Sequence, residues 1–235
     1  MRERLRNVNP FILLLLAVML VESITSSRTS IWEWAYMKLM ILPGIIIGLA
    51  FHEAAHAFAS YKLGDPTPKF QGRLSLNPMR HMDPVGFIAL LFIGFGWGVP
   101  VQINPDYYKN RRIGELIVSL AGVVTNLLIA VIFSFIMKGL AAAVPGMLYS
   151  GIGSIIYEML LYVVYINLVL MIFNLIPIPP LDGFSVITQI FKLDRYGWYY
   201  TLEHYGYYIL LMAIIFNIPS KIIGPGVMFF LNILL

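Results

Sequence analysis

Cysteine is absent from the 235 residues, and charge is scarce. Without cysteine there are no disulfides, no thiolate metal sites and no cysteine nucleophile. Charged residues make up 12% of the chain, where a soluble domain carries about 25%. No long polar segment exists to build a large aqueous domain, which excludes a soluble metalloenzyme merely anchored to a bilayer. What fills the chain instead is apolar: 59% of residues are hydrophobic, and the mean hydropathy is +0.80. Several apolar runs approach or exceed the roughly 20 residues that cross a bilayer. The reading is an all-α polytopic membrane protein. The net charge of +4 collects near the ends of the apolar runs, where it fixes topology rather than binding nucleic acid.

Residues 1–235 read as a single integral membrane domain. MRERLR followed by an apolar run at 8–24 predicts a retained first span, because no small-residue cleavage site follows. Residues 34–61 predict a long second helix, kinked or starting at Pro43–Gly44; 28 residues reach about 42 Å. A polar loop at 62–84 contains FQGRLSL, which predicts a small cytoplasmic hairpin. Residues 85–101 are apolar but carry Gly86, Gly94, Gly96 and Gly98. A basic loop follows at 102–114. Further spans are expected at 115–144 and 155–176, a short helix at 184–192, and C-terminal spans within 196–235. The total is about five to six transmembrane helices plus a re-entrant or membrane-associated segment at 85–101.

Charge sets the orientation. Arg2, Arg4 and Arg6 place the N-terminus in the cytoplasm. Lys62, Lys69, Arg73 and Arg80 mark 62–84 as cytoplasmic, and Lys109, Arg111 and Arg112 mark 102–114 likewise. Both loops share that face only if 85–101 dips in and returns, and its glycines permit the bend. The rival, a straight span, would put three basic residues outside.

The polar exception within the apolar runs is HEAAHA at 52–57. In a helix, His52 and His56 lie on one face, one turn apart, where two imidazoles can ligate one Zn²⁺. Glu53 sits about 100° around the axis, within reach of a water that the metal activates. This is the HExxH metalloprotease pattern. A chance match is the bland alternative. The flanks ILPGIIIGLAF and AFAS weigh against it, because ionisable groups in an apolar membrane segment are costly and functional by default.

A catalytic zinc takes three protein ligands and leaves a fourth position open. His204, in YYTLEHYGYY, suits an interfacial belt. His81, in RHMDP, suits a solvated loop. Asp182, in PIPPLDG, is the better third ligand, because it follows a span, lies at the same end as HEAAHA in the re-entrant topology, and precedes Gly183. Its bland reading is an ordinary turn aspartate.

HEAAHA followed by NLIPIPPLDG resembles the site-2 protease family of intramembrane zinc metalloproteases, over roughly residues 40–200. The resemblance implies one zinc per chain held by His52, His56 and Asp182, Glu53 as general base, and Asn174 as a further catalytic residue near the scissile peptide. Asn174 reads equally as a helix cap or a clamp on substrate backbone. The family's AGPxxN element matches AGVVTN, with Val123 in place of proline and Asn126 at its end. The chain looks like a compact member without a PDZ or CBS domain.

The resemblance further implies an endopeptidase acting on transmembrane proteins or peptides in a prokaryotic plasma membrane, with its active-site end toward the cytoplasm. The lipid bilayer is its other partner; the sequence does not fix an oligomeric state. A zinc transporter or metal sensor is the alternative, but it leaves Glu53 surplus. A serine intramembrane protease would have only SGIGS at 150–154 and His204 to work with. An aspartyl one needs two membrane aspartates, and Asp182 alone is suitably placed.

Overall fold

The structure, a computed structural model, describes residues 21, 30–93, 96, 98–146 and 150–235. The expected first span at 8–24 falls, but for residue 21, outside them. Among the described residues the regular elements are all helices, with no strand beyond one isolated bridge. In chain order the helices are α1 (Ile31–Lys62), α2 (Thr67–Phe70), α3 (Pro84–Ile93), α4 (Arg111–Ala143), α5 (Gly151–Leu175), α6 (Asp182–Phe191), α7 (Gly197–Ile215) and α8 (Ile218–Leu234). Three of these, α1, α4 and α5, are long and apolar enough to cross a membrane. The pair α7–α8, bent by 72°, makes a fourth if it counts as one span.

Each long helix starts three or four residues before the expected bounds of 34, 115 and 155, at a capping side chain. Ser30 and Glu33 form a reciprocal capping box at α1, satisfying backbone donors that a helix start leaves free. Asn110 caps α4 and Ser150 caps α5 through their side-chain oxygens. Pro43 lies inside α1 without ending it.

The three long helices pack pairwise. Val123, Ala130 and Met137 recur every seven residues on α4, and meet Val164, Leu168, Met171 and Ile172 of α5 and Val227 of α8. That spacing keeps one face toward a neighbouring helix. The approach of α1 to α5 is closer, through Gly44 and Gly48. A side chain at Gly48 would start 2.6 Å from Leu170 Cδ1, and one at Gly44 2.8 Å from the Tyr162 carbonyl. Small residues four apart allow such contact between membrane helices. The outward face of α4 stays apolar: Phe135 is 70% exposed, which suits lipid and not water.

The 85–101 segment doubles back. Helix α3 has ten residues and advances about 15 Å. Met82 and Gly98 then pair as an antiparallel bridge, and the Val99 amide donates to the His81 carbonyl at 2.8 Å. Gly96 lies against α3 itself, where a Cβ would sit 1.9 Å from the Gly86 carbonyl oxygen. Phe92, near the tip, stacks on Trp34 at the opposite end of α1 from HEAAHA, with ring centroids 5.6 Å apart.

FQGRLSL does not form the expected hairpin. Its backbone groups are satisfied locally: Arg73 N donates to Pro68 O at 2.8 Å and Ser75 N to Arg73 O at 2.8 Å. Gly72 adopts φ +67, a left-handed turn that glycine tolerates. These bonds curl the run before a second strand can pair with it.

Asp65 clasps the loops to the end of α1. It is fully buried and accepts from Ser60 Oγ (2.7 Å), Thr67 N (2.8 Å) and Asn104 N (2.7 Å). Ser60 Oγ also bonds Tyr108 OH at 2.8 Å. Burial pushes the Asp65 carboxyl up, but the bonds from Thr67, Asn104 and Ser60 outweigh it and hold it below the ordinary carboxylate value. A depressed folded value contributes stability above the unfolded pKa, about 3.9, and that contribution is lost as pH falls through the folded value.

Two outcomes follow from this architecture. Because native cysteine is absent, single cysteines at the exposed positions Met79 and Gln102 report sidedness directly. A membrane-impermeant thiol reagent should label both from the same side of sealed vesicles; labelling from opposite sides would contradict the doubled-back segment. Asp65→Ala should cost about 3 kcal/mol in unfolding free energy at pH 7. Its difference from wild type should shrink below about pH 4, as read by thermal unfolding in detergent.

Candidate metal centre

His52 and His56 sit on one face of α1, as their spacing predicts. Asp182 opens α6, the short helix after the PIPPLDG turn. Their donor atoms converge. His52 Nε2 and His56 Nε2 are 3.1 Å apart, and Asp182 Oδ2 lies 3.2 Å from the first and 3.4 Å from the second. Among the described residues this is the one group of three that could hold a metal ion. Donors about 2.0–2.1 Å from a tetrahedral zinc lie about 3.3 Å from one another. The triangle has that size.

Protonation supports the same assignment. His56 Nδ1 lies 2.8 Å from the Val118 carbonyl oxygen, which can only accept, so Nδ1 carries a proton and, in the neutral ring, Nε2 carries the lone pair. His52 Nδ1 donates to Asn126 Oδ1 at 3.0 Å, which frees its Nε2 likewise. Asp182 Oδ2 is buried without a hydrogen-bond partner. Two neutral imidazoles and a carboxylate oxygen facing one another repel unless a proton or a metal cation lies between them. Zinc fits this donor set.

One stripe of α4 supports both histidines: Val118, Gly122 and Asn126, four residues apart and therefore on one face. Gly122 gives the His52 ring its space, since a Cβ there would lie 2.5 Å from His52 Cε1. The helix runs unbroken through Val123, which is buried in the core, so the departure from proline in AGVVTN leaves the stripe intact. Partners of this kind fix the ring tautomer and orientation of a metal ligand.

Asp182 is pinned from several sides. A Cβ on Gly183 would sit 2.3 Å from the Leu175 carbonyl oxygen, so only glycine lets the turn fold under the end of α5. The Pro179–Pro180 bond is cis. Pro179 packs on Gly206 of α7, and Phe184 stacks on Tyr199 at 5.6 Å. At the far end of α6, Arg112 donates to the carbonyls of Gln189 and Ile190, satisfying acceptors that the helix end leaves open. A carboxylate in the first turn also meets the positive end of the helix dipole.

Glu53 is half-buried on α1, and a side chain at Gly98 would begin 3.8 Å from its Oε1. Asn174 lies in the last turn of α5, where its Nδ2 donates to Leu170 O at 2.9 Å; it is no part of the triangle. His204 is exposed, in edge contact with Tyr205. His81 is not a solvated loop residue: it is 0% exposed, with its Nε2 2.7 Å from the Ser75 carbonyl oxygen and its own carbonyl accepting from Val99 N. A polar cavity of about 640 Å³, bounded by residues including Arg112, Glu115, Lys192, Arg195 and Glu203, lies at the far end of α6 and shares no residue with the triangle.

The support stripe yields its own test. Asn126→Ala should weaken zinc binding by about 10–100-fold in chelator competition, and Asn126→Asp, which keeps an acceptor, should retain most of it. Gly122→Val should lose zinc more completely, because it displaces the His52 ring.

Comparison with known proteins bears on the same residues. The family model described as Peptidase family M50 matches residues 140–216, a stretch that includes Asn174 and Asp182. A Bacillus subtilis protein, YwhC, is 36% identical over 197 residues, covering 82% of this chain and 90% of its own length. The Mycobacterium tuberculosis protein Rip2 is 29% identical over 160 residues, 66% of this chain and 58% of its own. The Methanocaldococcus jannaschii protein MJ0611 is 30% identical over 145 residues, 60% of this chain and 64% of its own. All three are provisionally described as zinc metalloproteases. No solved structure matches. With this relatedness and a zinc-sized His–His–Asp triangle on apolar helices, the chain belongs to peptidase family M50 and is a zinc metalloprotease.

Proposed function

We propose that this protease hydrolyses peptide bonds within or next to the transmembrane segments of other membrane proteins, as regulated intramembrane proteolysis requires. The observation that carries this reading is depth. His52 lies ten residues before the end of α1, about 15 Å along a helix long enough to cross a bilayer. A site so placed meets substrates that are themselves in the membrane. The basic loops at 62–84 and 102–114 support a cytoplasmic orientation for the site end and for the N-terminus. The whole chain then acts as one membrane domain.

In this reading His52, His56 and Asp182 hold the zinc. When bound, zinc supplies a Lewis acid that polarises the scissile carbonyl and acidifies a water. Glu53 takes the proton of the attacking water and passes it to the leaving amine. Its place one residue after His52 sets it beside the donor triangle without joining it. Asn174 has two amide hydrogens and spends one on Leu170; the other is available to a substrate carbonyl. A substrate helix keeps its carbonyls in i to i−4 bonds, so it must unwind near the cut. The doubled-back α3 segment, beside Glu53 at Gly98, bounds the space where the unwound stretch would lie.

Glu53→Gln is the decisive variant. It should keep one zinc per chain, measured by metal analysis, and lose cleavage by at least about 10²–10⁴-fold. In cells, membrane proteomics should show single-span proteins accumulating in the variant. Cleavage at wild-type rate by the zinc-loaded variant would remove Glu53 from the mechanism, and the absence of any accumulating single-span protein would count against membrane substrates.

A further inference from the structure

We infer that His81 is a positioning residue for Glu53, acting through the backbone of the returning segment. This rests on the reading of Glu53 as general base. His81 is fully buried, outside the metal triangle, on the loop before α3. Its Nε2 lies 2.7 Å from the Ser75 carbonyl oxygen. A carbonyl only accepts, so Nε2 carries the proton, and the ring ties the 73–76 run to the start of α3. Nδ1 is buried with no partner. An apolar side chain would fill the same volume without that orphaned atom, so the donor at Nε2 is what the imidazole supplies here.

From the ring the connection runs to Glu53 in three contacts. The His81 carbonyl accepts from Val99 N at 2.8 Å, and Met82 pairs with Gly98. Arg73 braces the same pair, donating to the Arg80 and Val99 carbonyls. Gly98, so held, faces α1: a Cβ on it would lie 3.1 Å from His81 O, 3.8 Å from Glu53 Oε1 and 4.0 Å from Glu53 Cγ. Among the described residues no donor binds the Glu53 carboxylate. The backbone at Gly98 therefore bounds the space through which that carboxylate swings. Asp83 fixes the other side of the loop, its Oδ1 accepting from Val85 N and Gly86 N at 3.0 Å each. Loss of the His81–Ser75 bond frees the 98–99 backbone to shift. A displacement of about 1 Å at a reacting group can cost about 10²-fold in rate.

Two polar replacements separate this role from packing. Glutamine at 81 reaches the Nε2 position with an N–H donor, whereas asparagine reaches only the Nδ1 position. On a fluorescence-quenched single-span peptide that wild type cleaves, His81→Asn should lower kcat about 10–100-fold with KM within about twofold and zinc content unchanged. His81→Gln should stay within about threefold of wild type. A second readout needs no activity: residues paired across an antiparallel bridge lie about 4.5–5.5 Å apart at Cα, within disulfide range. In the cysteine-free chain, Met82→Cys with Gly98→Cys should therefore oxidise readily alongside His81→Gln and poorly alongside His81→Asn. The inference is overturned if His81→Asn keeps wild-type kcat, if it acts through zinc loss or KM alone, if glutamine fails to rescue, or if both backgrounds cross-link equally. A Glu53→Gln enzyme with wild-type turnover would instead sink the catalytic reading itself.

Discussion

The seam between α1 and α4 is the constraint on which the rest depends. Two imidazoles must be turned so that both Nε2 atoms face one point, inside a bundle that offers few polar partners. The turn is set by three features of α4 at i, i+4 and i+8: the Val118 carbonyl, the missing side chain at Gly122 and the amide of Asn126. The seam must also be tight: a Cβ on Gly122 would lie 2.5 Å from His52 Cε1. Widening it by a methyl group would move the rings off their partners before it unfolded anything.

The same economy governs the other polar groups in the interior. An unpaired polar group in an apolar surround costs several kcal/mol, so buried side chains bond locally where they can. Ser119 and Ser134 donate to carbonyls one turn back, Asn167 to Val163, and Asn174 to Leu170. These bonds cost no long-range fit. The histidines are an exception, with Ser60 and Asp65 at the loop clasp: the histidine partners are 74 and 62 residues away in sequence. Long-range bonds among buried polar groups occur here where orientation, and not solvation alone, has to be set.

That distinction explains what the sequence made legible. HEAAHA was readable because helix periodicity alone places His52 and His56 together, and apolar flanks make their presence costly. Asp182 was readable because PIPPLDG ends a span on the same side. The pairing of Met82 with Gly98 agrees with the return that the charge on the two flanking loops suggests. Three things were not readable. The Val118 carbonyl carries no sequence signal, being a backbone atom. The burial of His81 goes with bonds to Ser75 and Val99, on either side of it in sequence, so a polar, proline-rich neighbourhood read as solvated. FQGRLSL has strand-like residues, but local bonds at Arg73 and Ser75 satisfy its backbone first. AGVVTN did hold a usable clue: a glycine and an asparagine four apart on a membrane helix mark a face on which a bulky polar ring can rest.

The triangle draws its donors from two helices, α1 and α6, which meet at the donor atoms themselves. The histidines ride on α1, held by α4; Asp182 rides on α6, held by α5 through Gly183 and by α4 through Arg112. Helix α4 is therefore the common reference for all three donors, and its two ends serve different ligands. A small rotation of α6 about its Arg112 anchor would move Asp182 while leaving His52 and His56 in place. Loss of the Val118–Gly122–Asn126 face would do the reverse. Distortions of the two halves should thus be separable, with one retaining a two-histidine remnant and the other leaving only a carboxylate. Glu53, one residue after His52, stands beside the Gly98 backbone, and under the proposed function that is the side from which a peptide would come.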